Sequence, residues 1–283
     1  MQVKDKVFVV TGGGNGIARE IVVQLLGKGA RVAAVDVSEK GLLETAHLAQ
    51  AGDRLSTHVA DITDRTAVEG LPEAVLARHR QVDGVVHVAG IIHRFAPVTD
   101  LRIEEIEKVV AVNFWGTAYV AKAFLPYLLA RPHASLVTFS SMGALVPVPG
   151  QGAYGASKAA VKLFGETLYA ELRDTSVAVT VVFPGGISTN IAGNSGVTMA
   201  IDESKIDARK LATTTPQEAA RLTIEAIEKG TPRLRIGKDA VSLDRISRLN
   251  PVKAIGIIAD KMASILGAAG APGREPDHSG AQV

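Results

Sequence analysis

Residues 6–18 read KVFVVTGGGNGIA. The run from Val7 to Val10 is β-branched and aromatic, which predicts a buried strand, and an apolar helical pattern continues through Leu26. The glycines between strand and helix permit positive φ angles and a close approach of the backbone to a bound group. The start of the helix would offer its positive end to an anion such as a phosphate. We therefore predict a strand, a glycine turn and a helix, and favour a phosphate cradle over a plain turn.

The same alternation continues along the chain. Val-rich apolar runs predict further strands at Arg31–Val37, Leu55–Val59, Gly84–Val88, Ala134–Phe139, Val177–Phe183 and Arg233–Ile236. Helical periodicity predicts helices at Glu39–Ala49, Thr66–Arg80, Ile103 to about Leu129, Tyr154–Leu172 and, from a cap at Thr215, to Lys229. Strands that alternate with helices are parallel and covered on both faces. We therefore predict a single doubly wound, Rossmann-like α/β domain.

Composition excludes several classes of function. The chain has 283 residues, a 47% apolar content and a net charge of +2, with basic residues scattered rather than clustered. We therefore expect one large core, no nucleic-acid partner and no membrane partner, since no uninterrupted apolar span reaches membrane length. The absence of cysteine excludes disulfides and thiol chemistry. No signal-peptide core follows Met1, so we expect a soluble cytoplasmic protein.

A second motif lies in the middle of the chain. Tyr154 and Lys158 form a Tyr-x-x-x-Lys run inside a predicted helix, so the two side chains lie one turn apart on one face. A tyrosine with its ordinary pKa of about 10 accepts protons poorly at neutral pH, and a nearby ammonium group lowers that pKa. The pair is a candidate acid/base centre. A half-buried tyrosine beside a solvated lysine is the alternative.

Together these motifs resemble the classical short-chain dehydrogenase/reductase family. Thr11-Gly12-x-x-x-Gly16-Ile17-Ala18 is similar to the family's Thr-Gly-x-x-x-Gly-x-Gly loop, and Tyr154-x-x-x-Lys158 is similar to its catalytic pair. Further family marks follow in order between Val3 and Gly237: Asp61-Ile62, Ala89-Gly90, Asn113, Ser140-Ser141 and Pro184-Gly185-Gly186-Ile187-Ser188-Thr189.

Two positions depart from the family pattern. Ala18 replaces the last glycine of the loop, and we expect its methyl group to be tolerated where the helix meets the strand. His87-Val88 replaces the usual Asn-Asn before Ala89-Gly90. The hydrogen bonds by which those asparagines brace the sheet must therefore be made differently or lost.

The resemblance implies a catalytic set of Asn113, Ser141, Tyr154 and Lys158. Tyr154 would be the general acid/base, and Lys158 would lower its pKa and hold the ribose hydroxyls of a cofactor. Ser141 would hydrogen-bond the substrate oxygen, and the adjacent Ser140 would brace the strand end. Asn113 would hold a water that links Lys158 to solvent. An ordinary polar residue on a helix face is the alternative for Asn113.

The resemblance also implies a nicotinamide dinucleotide at the carboxyl ends of the strands. Asp61-Ile62 would contact the adenine edge, Ala89-Gly90 would lie beneath the cofactor's middle, and Ile187 and Thr189 would fix the carboxamide. For Asp61 alone, a helix start is an equally good interpretation. No metal is predicted. The predicted cofactor contacts are Gly12, Asn15, Gly16, Ile17, Asp36, Asp61, Ile62, Ala89, Gly90, Tyr154, Lys158, Pro184, Gly185, Ile187 and Thr189.

Asp36 favours NAD over NADP. It lies near the end of the second predicted strand, where a carboxylate accepts hydrogen bonds from the adenosine ribose and repels a 2′-phosphate. Val37 follows it and Asn15 stands in the glycine loop, so neither position often used to attract that phosphate is basic. The alternative is that Asp36 merely starts a turn.

The loops over the predicted site favour a small, largely apolar substrate. Their side chains are mainly aliphatic: Ile92, Leu145, Val146 and Val148, with Gln151 beside them. The basic pair His93-Arg94 either meets an anionic substrate group or is simply solvated.

We assign residues 1–250 to one dinucleotide-binding catalytic domain. It includes a substrate lid at about 187–214, where small and polar residues predominate. Residues 251–267 are predicted to form an amphipathic C-terminal helix that packs on its own domain or on a neighbouring subunit. Residues 268–283 are rich in Gly, Ala and Pro, and we expect a disordered tail.

The sequence thus predicts an NAD(H)-dependent oxidoreductase that interconverts a secondary alcohol and a ketone. Three alternatives stay open: a non-catalytic NAD(H)-binding sensor, an NADP-dependent ketoreductase, and a sugar-nucleotide epimerase, which can share the Tyr-x-x-x-Lys run. The resemblance further implies a homo-oligomer, a tetramer or dimer, in which the helices at Ile103–Leu129 and Tyr154–Leu172 pair across subunits.

Overall fold

The computed structural model describes residues 1–189, 191–196 and 214–266. Its strands are β1 Val7–Thr11, β2 Arg31–Asp36, β3 Leu55–Val59, β4 Gly84–His87, β5 Ala134–Phe139, β6 Val177–Pro184 and β7 Arg233–Ile236. Within the described ranges they form one parallel sheet of order β3-β2-β1-β4-β5-β6-β7. This topology confirms the predicted doubly wound α/β domain.

Helices cover both faces of the sheet. In the described ranges they are α1 Gly16–Gly27, α2 Glu39–Ala49, α3 Arg65–His79, α4 Ile103–Val110, α5 Gly116–Leu129, α6 Gly152–Leu172, α7 Ile191–Asn194, α8 Pro216–Lys229, α9 Lys238–Leu249 and α10 Pro251–Leu266. The predicted cap of α8 is present, because the Thr215 hydroxyl accepts a hydrogen bond from the Glu218 amide at 3.2 Å. No helix in these ranges is long and apolar enough to span a bilayer.

Alternate strand residues divide between two apolar cores. Phe8 and Val10 of β1 lie in the core that α1 and α8 cover. Val7 and Val9 lie in the opposite core with residues of α3, α5 and α6. Because both faces are buried, the strands are almost continuously apolar, as is usual for parallel sheets.

The strand order reverses beside β1. β1 pairs with β2 on one side and with β4 on the other. In open parallel sheets the ligand crevice lies at the carboxyl ends of the strands where this reversal occurs. The glycine turn after β1, Asp36 at the end of β2 and Ala89 beyond β4 all lie at this edge.

The predicted helix from Ile103 to Leu129 is interrupted. Residues Ala111–Trp115 form a π-helical turn between α4 and α5. A π turn adds one residue to the helix, shifts the side chains that follow and is frequent at functional sites. Asn113 lies within this turn and is buried.

Helix α9 was not predicted, and ion pairs fasten it to the last strand. The buried Asp244 carboxylate of α9 pairs with Arg233 at 2.9 Å and with Arg235 at 3.0 Å, both on β7. Arg248, one turn further along α9, approaches the same carboxylate at 3.0 Å.

Helix α10 begins at Pro251, as predicted, and packs on its own domain. Ala254 and Ile258 form a small core with Val146 and Leu243. Residues 190 and 197–213 of the predicted lid, together with residue 267 and the predicted tail 268–283, lie outside the described residues.

Candidate active site

The glycine loop forms the floor of the crevice. Gly12 has φ +76° and Gly16 has φ +55°, a region that favours glycine. A Cβ at Gly12 would lie 3.1 Å from the Ala89 backbone, so the loop and the chain beyond β4 are in close contact. Ala18, which replaces the family's last glycine, is buried in the core, and its methyl group is accommodated as expected.

The loop leaves the start of α1 open. Asn15 is the N-cap residue in an extended conformation, and in the described chain its side chain makes no cap hydrogen bond. The first turn of α1 also contains no acidic residue among the described side chains. Free amide groups and the positive end of the helix together favour an anion at this position.

Asp36 bridges the glycine loop and the turn after β2. Its Oδ2 accepts a hydrogen bond from the Gly14 amide at 2.9 Å, and its Oδ1 accepts one from the Ser38 amide at 2.9 Å. The carboxylate therefore does start a turn, the alternative interpretation of this residue. Each oxygen retains a second lone pair, so the same carboxylate can also accept hydroxyl groups.

Arg19 was missed by the sequence analysis. Its guanidinium donates hydrogen bonds to the Gly14 carbonyl oxygen and, at 3.0 Å, to Thr45 Oγ1. It also forms an ion pair with Glu44 at 2.8 Å. Its position could have indicated this role, because Arg19 lies on the first helical turn after the glycine loop and that turn faces any group that the loop binds.

Asp61 and Ile62 differ in their surroundings. Asp61 is exposed, and its Oδ1 accepts hydrogen bonds from the amide and the hydroxyl of Thr63, both at 2.8 Å. Asp61 thus forms a turn before α3, whereas Asp64 caps the helix. Ile62 is buried and belongs to the core between sheet and helices.

Tyr154 and Lys158 lie near the amino end of α6, beside the carboxyl end of β5. The Lys158 Nζ donates a hydrogen bond to the Phe139 carbonyl oxygen at 2.9 Å and lies 6.0 Å from the centre of the Tyr154 ring. Ser140 donates to the Lys158 carbonyl oxygen at 2.8 Å, so it braces α6 against the strand end as expected. Ser141 follows at once and is buried.

Burial dominates the electrostatics of this pair. Burial raises the pKa of Tyr154, and a hydrogen bond with Ser141 opposes that rise. Burial also lowers the pKa of Lys158 to about 8. The net shift of Tyr154 is opposite to the one that the Tyr-x-x-x-Lys spacing predicts, because desolvation of the phenolate exceeds the effect of the Ser141 hydrogen bond.

Asn113 ties the π turn to the loop beyond β4. Its Oδ1 accepts a hydrogen bond from the Ile91 amide at 2.9 Å, and its Nδ2 donates to the Ile91 carbonyl oxygen at 3.0 Å. Nδ2 also donates to Ser157 Oγ at 2.9 Å. The side chain is fully buried, so Asn113 is not an ordinary polar residue on a helix face.

His87 makes a bracing contact in place of the family's asparagine. Its Nδ1 is hydrogen-bonded to Thr11 Oγ1 at 2.9 Å, and the same oxygen accepts the Ala89 amide at 3.4 Å. β1 and β4 are therefore linked at their carboxyl ends, so the bracing is made differently rather than lost. Burial, with a smaller effect of the Lys158 charge, lowers the pKa of His87 to about 3.

The segment after β6 returns to the glycine loop. The Gly185 amide donates to the Ile236 carbonyl oxygen at 2.8 Å, and the Gly186 amide donates to Asp239 Oδ2 at 2.8 Å. Thr189 then approaches Gly16, since its Cγ2 would lie 3.7 Å from a Cβ at that glycine. Asp239, an orienting residue on α9, was missed because that helix was not predicted.

A mainly apolar cavity lies between the loop after β5 and the amino end of α6. This cavity of about 270 Å³ is lined by the Gly143–Val148 segment and one face of α6. Gln151 also lines this cavity, and its Nε2 donates to the His93 carbonyl oxygen at 3.3 Å. Leu145 and Val148 pack against the small core that includes Val146.

The basic pair at the cleft is neither free nor simply solvated. His93 is buried, and its Nδ1 donates to the Arg94 carbonyl oxygen at 2.6 Å. Arg94 forms an ion pair with Glu105 at 3.0 Å. The interpretation as a solvated residue is therefore wrong for His93. The charge of Arg94 is already balanced by Glu105.

Comparison with known proteins identifies the family. A family model described as "short chain dehydrogenase" matches residues 6–200. The chain belongs to the short-chain dehydrogenase family. The Mycobacterium tuberculosis protein named SadH, which carries an oxidoreductase description, is 37% identical over 86% of this chain and 90% of its own length. The protein is accordingly an oxidoreductase of the short-chain dehydrogenase family.

Two further similarities come from other bacteria. A 1-deoxy-11-beta-hydroxypentalenate dehydrogenase of Streptomyces avermitilis is 34% identical over 72% of this short-chain dehydrogenase and 80% of its own length. The crystal structure of a short-chain dehydrogenase/reductase from Burkholderia phymatum in complex with NAD superposes with a TM-score of 0.77. That structure covers 89% of this chain and 96% of its own, and at 24% identity it supports the fold alone.

Proposed function

We propose that this short-chain dehydrogenase interconverts a secondary alcohol and a ketone with NAD(H). The observation that carries the proposal is the convergence of Ser141, Tyr154 and Lys158 at the end of β5 beside an apolar cavity. The three groups are an alcohol, a phenol and an ammonium, which suit proton transfer to and from a substrate oxygen. The cavity carries mostly aliphatic side chains, which supports a largely apolar substrate.

The residues at the crevice fit a dinucleotide. Gly12 lies close to Ala89, which suits a contact between the backbone and the cofactor. The uncapped start of α1 suits a pyrophosphate, and the Asp36 carboxylate suits a ribose. Thr189 lies near Gly16, which supports a role in cofactor binding for the segment after β6, on the opposite side of the crevice. When bound, the nicotinamide supplies hydride acceptance and donation.

Each catalytic side chain has a distinct role in this proposal. Tyr154 accepts the alcohol proton during oxidation and returns it to the carbonyl oxygen during reduction. Ser141 donates a hydrogen bond to that oxygen and stabilises the charge that develops on it. Lys158 supplies a positive charge that favours the phenolate once substrate and cofactor exclude water. Asn113 fixes the loop at Ile91 and holds Ser157 next to this pair.

We propose NAD rather than NADP as the cofactor. The Asp36 carboxylate is fixed by two backbone amides and would face a 2′-phosphate with its negative charge. Arg19 is the nearby cation, but its charge is paired with Glu44. Val37 is exposed and uncharged.

We also propose a homo-oligomer in which α5 and α6 pair with their counterparts in a second subunit. Trp115 and Leu163 are exposed by 49% and 65%, and Tyr169 by 45%. Trp115 also stacks on Tyr119, with ring centres 5.8 Å apart. Trp115 lies in the π turn that leads into α5, and Leu163 and Tyr169 lie on α6. Large exposed apolar side chains of this kind are typical of interfaces.

The test of the proposed function is a substrate screen with the purified chain. Secondary alcohols with NAD, and ketones with NADH, are expected to change the nicotinamide absorbance, whereas NADP and NADPH should be much poorer. Cofactor binding without turnover across the screen would favour the non-catalytic sensor. Redox-neutral conversion of a sugar nucleotide would favour the epimerase.

A further inference from the structure

A buried row of polar side chains crosses the sheet next to the catalytic pair. Thr11, His87 and Thr138 are paired neighbours at the carboxyl ends of β1, β4 and β5. Side chains paired across parallel strands point to the same face. That face is the one covered by α5 and α6, because Val85, two residues before His87, lies in their core. All three polar residues are buried.

Two atoms of this row have no hydrogen-bond partner among the described residues. They are His87 Nε2 and Thr138 Oγ1. The other ring nitrogen of His87 is bonded to Thr11. A buried polar atom without a partner costs about 1–3 kcal/mol, and ordered water supplies the partner where protein groups do not reach. His87 and Thr138 occupy paired positions of adjacent strands, so one water molecule is the simplest partner for both atoms.

The Lys158 ammonium lies at the end of the same two strands. Its Nζ donates to the carbonyl oxygen of Phe139, the residue after Thr138. A Cβ at Gly90, beyond β4, would lie 3.0 Å from the same nitrogen. An ammonium has three donors, so the bond to Phe139 leaves others available.

We propose that His87 Nε2 and Thr138 Oγ1 bind one buried water that hydrogen-bonds the Lys158 ammonium. His87 is then a positioning residue of the acid/base centre, acting through Lys158. The effect of this site on catalysis rests on the proposed function, whereas the presence of the water does not depend on it.

The surroundings of His87 keep it neutral and suited to this role. In the described chain, Lys158 is the charged group whose field reaches the imidazole. The groups that face the compartment from β1, β5 and the π turn are Thr11, Thr138 and Asn113, none of which is charged at any pH of interest. The neutral ring can therefore accept from or donate to a water without repelling the ammonium.

The proposed water favours the charged form of Lys158. Burial lowers the pKa of this lysine to about 8, close to physiological pH. A hydrogen bond to the ammonium opposes that shift. Removing the water should therefore lower the Lys158 pKa further and leave more of the lysine neutral.

The experiment measures the Lys158 pKa by NMR, from the 13Cε shift of labelled lysine in the full chain. Thr138→Val removes the hydroxyl at similar volume, and His87→Asn keeps a partner for Thr11 but removes Nε2. Each should lower the Lys158 pKa by about half to one unit. The double variant should shift it no further, because both variants remove the same water.

Two controls separate the water site from general effects of core mutation. Thr138→Ser retains the hydroxyl and should keep the wild-type Lys158 pKa. Ser135, also on β5, has a buried hydroxyl without a hydrogen-bond partner among the described residues. Ser135→Ala removes this hydroxyl and should leave the Lys158 pKa unchanged.

An unchanged Lys158 pKa in both single variants, or shifts that add in the double variant, would overturn the proposal. The NMR titration needs no turnover, so a wild-type chain without dehydrogenase activity would refute the proposed function alone. In an active enzyme, Thr138→Val should also move the pH profile of kcat/KM while the Kd for NADH stays within about twofold.

Discussion

The Asn194 side-chain amide donates a 2.9 Å hydrogen bond to the side-chain oxygen of Asn15. Asn194 ends α7, and Asn15 directly precedes α1, so the contact joins the segment after β6 to the glycine loop. Ser195 adds a second contact, because its Oγ accepts the Ile92 amide at 3.1 Å. The two bonds join the segment around α7 to the glycine loop and to the loop beyond β4.

Loss of this link should speed the release of cofactor. Asn194→Ala removes one neutral hydrogen bond between exposed side chains, worth about 1 kcal/mol, so we expect the NADH dissociation rate to rise about fivefold. The association rate should change little. Stopped-flow fluorescence with excess competitor measures both rates. A dissociation rate equal to wild type would show that the Asn15–Asn194 bond does not restrain the bound cofactor.

Proton transfer should depend on the Tyr154 oxygen. Tyr154→Phe keeps the ring, so we expect kcat to fall by about a hundredfold or more while the Kd for NADH stays nearly unchanged. Lys158→Ala should impair both turnover and NADH binding. Tyr169→Phe, on the exposed part of the same helix, is the matched control and should be fully active. Turnover of Tyr154→Phe within about threefold of wild type would exclude this acid/base assignment.

Cofactor choice should follow Asp36. The wild type should prefer NAD by about thirtyfold or more in kcat/KM, because NADP would lose charge-assisted hydrogen bonds to the carboxylate and place a phosphate against it. The double variant Asp36→Ala with Val37→Arg should erase or reverse that preference. Each single variant should have an intermediate ratio. Equal use of both cofactors by the wild type would mean that Asp36 serves only the turn.

Two glycines in helices should respond oppositely to a methyl group. A Cβ at Gly165 would lie 2.7 Å from Thr138 Oγ1 and 2.8 Å from Val181 Cγ2, so Gly165→Ala should destabilise the fold by about 1–3 kcal/mol. Apart from its two chain neighbours and the adjacent backbone of α3 itself, no atom of the described residues would lie within 4 Å of a Cβ at Gly70. Gly70→Ala should stabilise by about 0.5–1 kcal/mol. Urea unfolding measures both, and equal effects would contradict the packing of α6 on β5.

Acid should destabilise the protein partly through His79. This buried residue is hydrogen-bonded to Ser56 at 2.8 Å, and burial, with a smaller effect of the Arg78 charge, lowers its pKa to about 4. Between about pH 6.5 and pH 4 the unfolded chain therefore binds a proton that the folded chain does not, so stability falls as the pH falls through this window.

His79→Gln should make that loss shallower. The comparison is the free energy of unfolding at pH 7 and at pH 5, with His47→Gln on the exposed side of α2 as the control. A pH dependence as steep in His79→Gln as in wild type would show that other groups cause the acid sensitivity.

The sheet and most helices could be predicted because their signals are local. The strand at Ala134–Phe139 and the helix at Glu39–Ala49 have the predicted bounds, since apolar runs and periodicity mark both. The π turn at Ala111–Trp115 could not be predicted, because the helical pattern runs through it without a break. Its conformation depends on Asn113 reaching Ile91, a contact made only in the folded chain.

Contacts that form only in the folded chain explain the other errors. Helix α9 has few apolar residues, and the ion pairs of Asp244 with arginines distant in sequence stabilise it. Two interpretations were open for His93, contact with an anionic substrate group or exposure to solvent. Its ring and backbone hydrogen bonds instead hold it inside the protein. The positions of the site residues could be predicted from the strand ends, but their hydrogen-bond partners could not.

The C-terminal pair of helices has a consequence for protein engineering. α9 and α10 follow the last strand of the sheet. Asp244 ties α9 to the arginines of β7, and Asp239 ties it to Gly186 after β6. Helix α10 meets the substrate side at Val146. We therefore expect that the segment from Lys238 to Leu266 can be exchanged as a unit. A designer who keeps both aspartates and recombines the rest among relatives would reshape the substrate half of the enzyme and leave the glycine loop intact.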